Sequence, residues 1–277
     1  MGLKRKQTIA HWIATIILTL YCLIAIFLIG NLILSSFKTK TDLVYNTFGF
    51  PKIFTLDNYR KVFLEDGFIR YFYNSIIITS LSIISLLFVS SMTAYGIARY
   101  KFRYKSVVEM YFLLGLMFPI QIAILPIFII LRSLHLINTY WGMILLYTAN
   151  MPFPVFIFSQ FFRDLPTALH ESAIMDGAGE FRIFRQIMMP LSKPVIFTVA
   201  LISFVQIWND FYLPLVFLSR KTVRTVTLGI YHYLSNFLAY WNYVFAAASA
   251  ALIPIIIVFF IFSDQIIAGL VTGSLKE

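Results

Sequence analysis

The side chains that could do chemistry are few and far apart. Among 277 residues there are 12 acidic groups, four histidines and one cysteine. His11, His135, His170 and His232 are scattered, with none of the spacings that build a metal site. Cys22 stands alone in an apolar run. It cannot form an internal disulfide or a multi-cysteine metal site, and it reads as a small apolar side chain. The chain contains no G-x-x-x-x-G-K-[ST] phosphate loop, no H-E-x-x-H and no G-x-S-x-G. Its only G-x-G is Gly177-Ala178-Gly179. With no catalytic constellation in this inventory, a membrane enzyme is a distant reading, and energy for any work is expected to come from another chain or from an ion gradient.

A second class of chemistry remains, the binding of polar solutes within apolar surroundings. Asp210 is the one acidic residue well inside an apolar stretch, beside Gln206, Trp208 and Asn209. A charged residue there costs about 2.5–3.5 kcal/mol at mid-bilayer on insertion scales. It is expected to face a pathway, a partner helix or nearby water. Amides and an indole could supply hydroxyl-binding groups and a stacking face. Gln121 and Asn150 are candidates on the same grounds. The competing reading is an interhelical hydrogen-bond cluster.

The elements that hold these residues follow from composition. Hydrophobic residues make up 60% of the chain and charged ones 12%. An ordinary soluble domain carries about 25% charged residues. A bilayer core needs about 20 helical residues per crossing. Six segments qualify: roughly 13–34, 75–98, 107–131, 141–162, 195–218 and 244–270. The expected class is all-α, a polytopic membrane protein of six transmembrane helices in a single domain, 1–277. Pro119, Pro126, Pro152 and Pro154 interrupt the third and fourth segments. Each removes a backbone donor where no water replaces it, so these helices pack against protein or line a wet cavity. The first segment is longer than a signal-peptide core. Lys4, Arg5 and Lys6 precede it, and the short Arg99–Lys105 loop has four basic residues. The positive-inside rule places both termini in the cytoplasm. The net charge of +10 is assigned to loops that face anionic lipid, and not to nucleic acid. Two longer outer stretches, about 35–71 and 219–242, could receive a partner or hold a short interfacial helix.

The connection 164–190 is the most informative stretch. Residues Thr167 to Asp176 are expected to form one short helix, Gly177-Ala178-Gly179 a sharp turn, and Glu180 the start of a second helix. Phe181, Phe184 and Met188 share one side of that second helix. Periodicity predicts an exposed apolar stripe, fit either for a groove on a partner or for the membrane surface.

Residues Glu171, Ala173, Gly177, Ile187 and Pro190 resemble the E-A-A-x3-G-x9-I-x-L-P loop of ABC importer permeases. Ser172 and Met189 depart from that pattern, and both keep a small or apolar character. The flanking Asp176-Gly-Ala178 phrase is similar to the sugar-importer branch. So are Thr55–Tyr59, Asn74-Ser75, Ala94–Arg99, Trp208-Asn-Asp210 and Gly269–Lys276. The resemblance is closest to the second permease subunit of maltose-type and multiple-sugar importers. It implies a carbohydrate importer, with Glu171, Ala173, Asp176, Gly177, Ala178, Ile187 and Pro190 in a cytoplasmic loop that couples to an ATPase. It implies a second homologous permease, two ATP-binding subunits and an extracytoplasmic sugar-binding protein as partners. No cofactor is bound by this chain, since ATP and Mg lie on the partner ATPase. The implied location is the bacterial cytoplasmic membrane. A permease for peptides or polyamines stays open as an alternative. An ion-coupled secondary transporter fits less well, for want of repeated halves and intramembrane charge pairs.

Overall fold

The structure, a computed structural model, describes residues 2–234 and 240–274, with side chains described over 11–234 and 240–262. The regular structure of the described residues is all helical, joined by turns and loops, with no strand among them. They fall into two compact units, one of residues 1–69 and 229–253, the other of residues 70–228 and 254–277.

The first unit begins with α1 (Gly2–Ser36). From His11 this helix is long and apolar enough to cross a bilayer, and its apolar side chains are almost all exposed. That exposure suits lipid as solvent. Next come α2 (Lys40–Tyr45) and α3 (Asp57–Arg60), which continues as a π-helical turn, Lys61–Glu65. These short helices occupy the first of the two stretches expected to reach outside. Asn58 fixes the segment. Its amide nitrogen donates to the carbonyls of Ser36 and Lys38, 2.8 Å each, and its oxygen accepts from Asn242 at 2.7 Å. Lys38 is fully buried, yet its ammonium donates to the Asn46 carbonyl at 2.7 Å, so the charge is solvated by backbone.

The second unit carries the candidate sites. The helix α4 (Phe68–Arg99) is 32 residues long and contains no proline. Buried Ser82, Ser90 and Ser91 let neighbouring backbones come close to it. Three broken pairs follow. The helices α5 (Lys105–Met117) and α6 (Ile124–Ser133), the latter led by a 3-10 turn from Ile120, bend by 95°. The helices α7 (Tyr140–Ala149) and α8 (Pro152–Asp164) bend by 47°. Then α9 (Thr167–Met175) and α10 (Glu180–Ile183) lead through a π turn into α11 (Met189–Leu191). The stretch Glu180–Leu191 meets α12 (Lys193–Asn209) at 77°. The unit closes with α13 (Tyr212–Phe217) and the start of α14 (Val226–Leu234). The last helix, α15 (Trp241–Ser274), is apolar enough to span up to Phe262. The phrase Gly269–Lys276 runs past the described residues.

The third and fourth apolar segments are thus not single kinked rods. Their prolines sit in first turns: Pro126 in α6, Pro152 and Pro154 in α8. A first turn has no use for the missing N–H, so the ring fits there without a lost bond. Phe118, before Pro119, is extended at φ −92° and ψ 117°, as the ring demands of its predecessor. The fifth segment breaks too, at Asp210, which is extended with φ −67° and ψ 126°.

Candidate functional sites

Two sites emerge, a polar cavity at the helix breaks and a loop built around Gly177. The cavity, about 260 Å³, is lined by Gln121, Asn150, Gln206 and Asp210, with Tyr147 and Ser203 among the remaining walls. Four of the six polar candidates, drawn from three separate stretches, therefore meet in one space. Gln121, Asn150 and Gln206 are exposed in the single chain. Trp208 is not among them. It is 3% exposed and stacks on Phe204 at 5.8 Å, with Phe72 on another side. Asn209 donates back to the Val205 carbonyl at 3.0 Å and does not line the cavity. Helical geometry explains the split, because consecutive residues point about 100° apart.

Asp210 is satisfied where it stands. Its Oδ2 accepts from the Tyr147 hydroxyl at 2.8 Å. Its Oδ1 accepts from the backbone N–H groups of Tyr212 at 2.9 Å and Leu213 at 3.3 Å. The carboxylate thus caps the first turn of α13, where a negative charge also meets the positive end of the helix dipole. Tyr147 was invisible in the sequence, since only the fold brings it across 63 positions.

The loop site is built as follows. Gly177 adopts φ +76°, a left-handed conformation that favours glycine. Its N–H donates to the Ile174 carbonyl at 2.9 Å, and the Ala178 N–H reaches back to Ala173 at 2.9 Å. This pair of bonds is the Schellman closure of α9, with glycine just past the cap. Gly179 then caps α10, its carbonyl accepting from Arg182 and Ile183. Ala173, Ala178 and Ile187 face inward, on a core with Tyr95, Phe158, Phe162 and Val199. Glu171 and Asp176 face outward and take no ion pair among the described residues. Pro190 is exposed in the first turn of α11.

The expected apolar stripe on the second helix is corrected by this arrangement. Phe184 is 4% exposed and Met188 fully buried, so both fill the chain's own core, and only Phe181 looks outward. The outward apolar surface belongs instead to α9, where Ile174 is 48% and Met175 86% exposed. Periodicity grouped Phe181 with Phe184 and Met188, whereas the buried side is Ile183, Phe184 and Met188, with a π turn over Phe184–Met188 that breaks the 3.6-residue period.

Sequence reasoning also missed a polar hub. One oxygen of Glu180 accepts from the Tyr95 hydroxyl at 2.8 Å and pairs with His170 Nε2 at 3.1 Å. Arg99 donates to the Leu165 carbonyl at 3.1 Å. Burial pushes the Tyr100 phenol up to about 12, and the nearby Glu180 carboxylate adds to it. The Ala94–Arg99 phrase was the signal available for this hub.

Comparison with known proteins agrees. A family profile described as "Binding-protein-dependent transport system inner membrane component" matches residues 86–271. The chain is 35% identical over 279 residues to the arabinooligosaccharides transport system permease protein AraQ of Halalkalibacterium halodurans, covering 99% of this chain and all of that one. It is 34% identical to the multiple sugar-binding transport system permease protein MsmG of Streptococcus mutans, with the same coverage. Its fold matches a chain of a bacterial ABC transporter involved in import of the acidic polysaccharide alginate, at TM-score 0.82 and 20% identity, covering 94% of this chain and 97% of the other. With its apolar helices, its glycine-closed loop and relatives matching over nearly its full length, the chain belongs to the family of binding-protein-dependent transport system inner membrane components.

Proposed function

We propose that this chain is the permease subunit of an ATP-driven importer that carries a carbohydrate, an oligosaccharide, across the bacterial cytoplasmic membrane. The observation that carries this reading is α9: a short helix closed at Gly177, anchored inward by Ala173 and Ala178, with Glu171, Ile174, Met175 and Asp176 turned outward. A helix so held is a rigid knob, part apolar and part acidic, of the kind that seats in a groove on a partner. The partner is an ATP-binding subunit on the cytoplasmic side, and it carries the nucleotide and Mg. Two such subunits, a second homologous permease and an extracytoplasmic sugar-binding protein complete the importer. The loop 164–190 is its coupling segment, and both termini lie in the cytoplasm. This chain supplies pathway and mechanical linkage, and no catalysis.

The cavity supports a neutral, hydroxyl-rich solute. Its carboxylate is already occupied by Tyr147 and two backbone amides, which leaves Gln121, Asn150 and Gln206 to meet the solute. The relatives' names, arabino-oligosaccharide and multiple-sugar permeases, point the same way.

The test has two arms. The chain is purified in detergent with candidate partners, and an ATPase is expected to co-elute. Gly177→Asp is then expected to weaken that assembly or stop uptake of labelled sugars while the helices still insert. Proton-driven uptake by the chain alone, indifferent to Gly177→Asp, would overturn the reading. Uptake of peptides or polyamines in place of any sugar in a labelled panel would replace carbohydrate by that solute.

A further inference from the structure

The helix α4 grips a separate loop at each of its ends. Near its C-terminal end Tyr95 donates to Glu180, which also holds His170 of α9. One turn later Arg99 donates to the Leu165 carbonyl, just before α9 begins. The helix α9 is thus tied to α4 on both flanks, although its covalent neighbours are α8 and α10. Near the other end, Asn74 donates to the carbonyls of Thr222 at 3.1 Å and Arg224 at 2.8 Å. Tyr140 orients that amide by donating to its oxygen at 2.7 Å. Ser75 Oγ accepts the buried Val226 N–H at 2.9 Å. Between Ser75 and Tyr95 the helix is unbroken and lacks proline, a rise of some 30 Å at about 1.5 Å per residue. The candidate spans that follow α4 in sequence, up to α15, are broken pairs with bends of 47° to 95°.

We propose that α4 is a connecting rod that transmits displacement of α9 to the 222–226 segment at its far end, with Tyr95–Glu180 and Asn74–Ser75 as its two grips. Broken helices absorb motion at their hinges, whereas a continuous helix whose internal hydrogen bonds are intact moves as one body. Glu180 and Asn74 are positioning residues. They touch neither nucleotide nor solute. The proposal rests on the importer reading, since an ATPase must move α9.

The test uses the intact assembly in lipid nanodiscs, comparing hydrogen exchange with and without a non-hydrolysable ATP analogue. In the wild type, amides of 167–183 and the Val226 amide are both expected to change their exchange rates. In Glu180→Ala, which removes the acceptor, and in Tyr95→Phe, which removes the donor, the nucleotide-dependent change at Val226 is expected to shrink about tenfold, while the change at 167–175 persists. Basal ATP hydrolysis, unlike the Val226 response, should stay within about twofold in Tyr95→Phe, which lies on α4 outside the coupling segment. Ser75→Ala serves as the control at the far grip, because it removes the acceptor and leaves the loop side untouched. A wild type in which 167–183 responds and Val226 does not would overturn the rod and leave the importer reading standing. A full Val226 response in both Glu180→Ala and Tyr95→Phe would overturn it as well. If nucleotide changes neither segment, the importer reading fails and the rod with it.

Discussion

Tyr147 donates its hydroxyl to Oδ2 of Asp210 at 2.8 Å, and through that bond α7 holds the start of α13. Removing Asp210 takes this acceptor from a hydroxyl whose residue is only 5% exposed, whereas removing Tyr147 strips only Oδ2 and leaves Oδ1 on its two backbone amides. A buried polar group without its partner costs about 1–3 kcal/mol. Asp210→Ala also removes the cap of α13, worth about 1 kcal/mol. The thermal midpoint of the purified protein is expected to fall most for Asp210→Ala, less for Tyr147→Phe and least for Asp210→Asn, which keeps an acceptor for the backbone amides. Equal midpoints for Asp210→Ala and Asp210→Asn would show that the cap contributes nothing.

At Gly177 no atom lies within 4 Å of the place a Cβ would occupy, so any cost of substitution is conformational. The left-handed region costs ordinary residues about 1–2 kcal/mol, and asparagine tolerates it best. Gly177→Asn is expected to retain more ATPase co-purification and uptake than Gly177→Val. The reverse order would mean that bulk, and not backbone angle, decides.

Gly142 is sensitive for the opposite reason. A Cβ there would stand 2.2 Å from the Leu136 carbonyl oxygen, a backbone atom that cannot step aside. The Gly142 N–H also donates to Thr139 Oγ1, the cap of α7, at 3.0 Å. Gly142→Ala is expected to destabilise by about 1–3 kcal/mol, as overpacking usually does. Denaturation in detergent would read this as a lowered midpoint, and an unchanged midpoint would show that the turn before α7 yields freely.

The raised Tyr100 phenol makes a prediction at alkaline pH. A folded value above the ordinary one means that the folded protein keeps the proton longer than the unfolded chain. Its contribution to stability is complete below pH 10 and is lost as pH rises towards about 12. Difference titration of phenolate absorbance, wild type minus Tyr100→Phe, should show a component well above 10. A component at the ordinary value would place Tyr100 in water, away from Glu180.

Much of this could be read in the sequence because local rules were enough. Apolar length marked out α1, α4 and α15, and the Gly177 turn, with its flanking helices, followed from glycine and charge placement. Composition could not show that Pro126, Pro152 and Pro154 open new helices instead of kinking old ones. The distinction depends on where the preceding helix stops. Gln121, Asn150, Gln206 and Asp210 were chosen singly, for polarity in apolar surroundings, and the fold gathers them. Trp208 was chosen by adjacency, which a helix does not respect. Glu180 was read as a helix-start charge, and its second role needed the approach of Tyr95 from 85 positions away.

Lipid tails offer nothing to the amides of Gln121, Asn150 and Gln206, which lie open on the isolated chain. Hydrocarbon pressed against that side would strand three donor–acceptor groups at once, so water or protein must stand there instead.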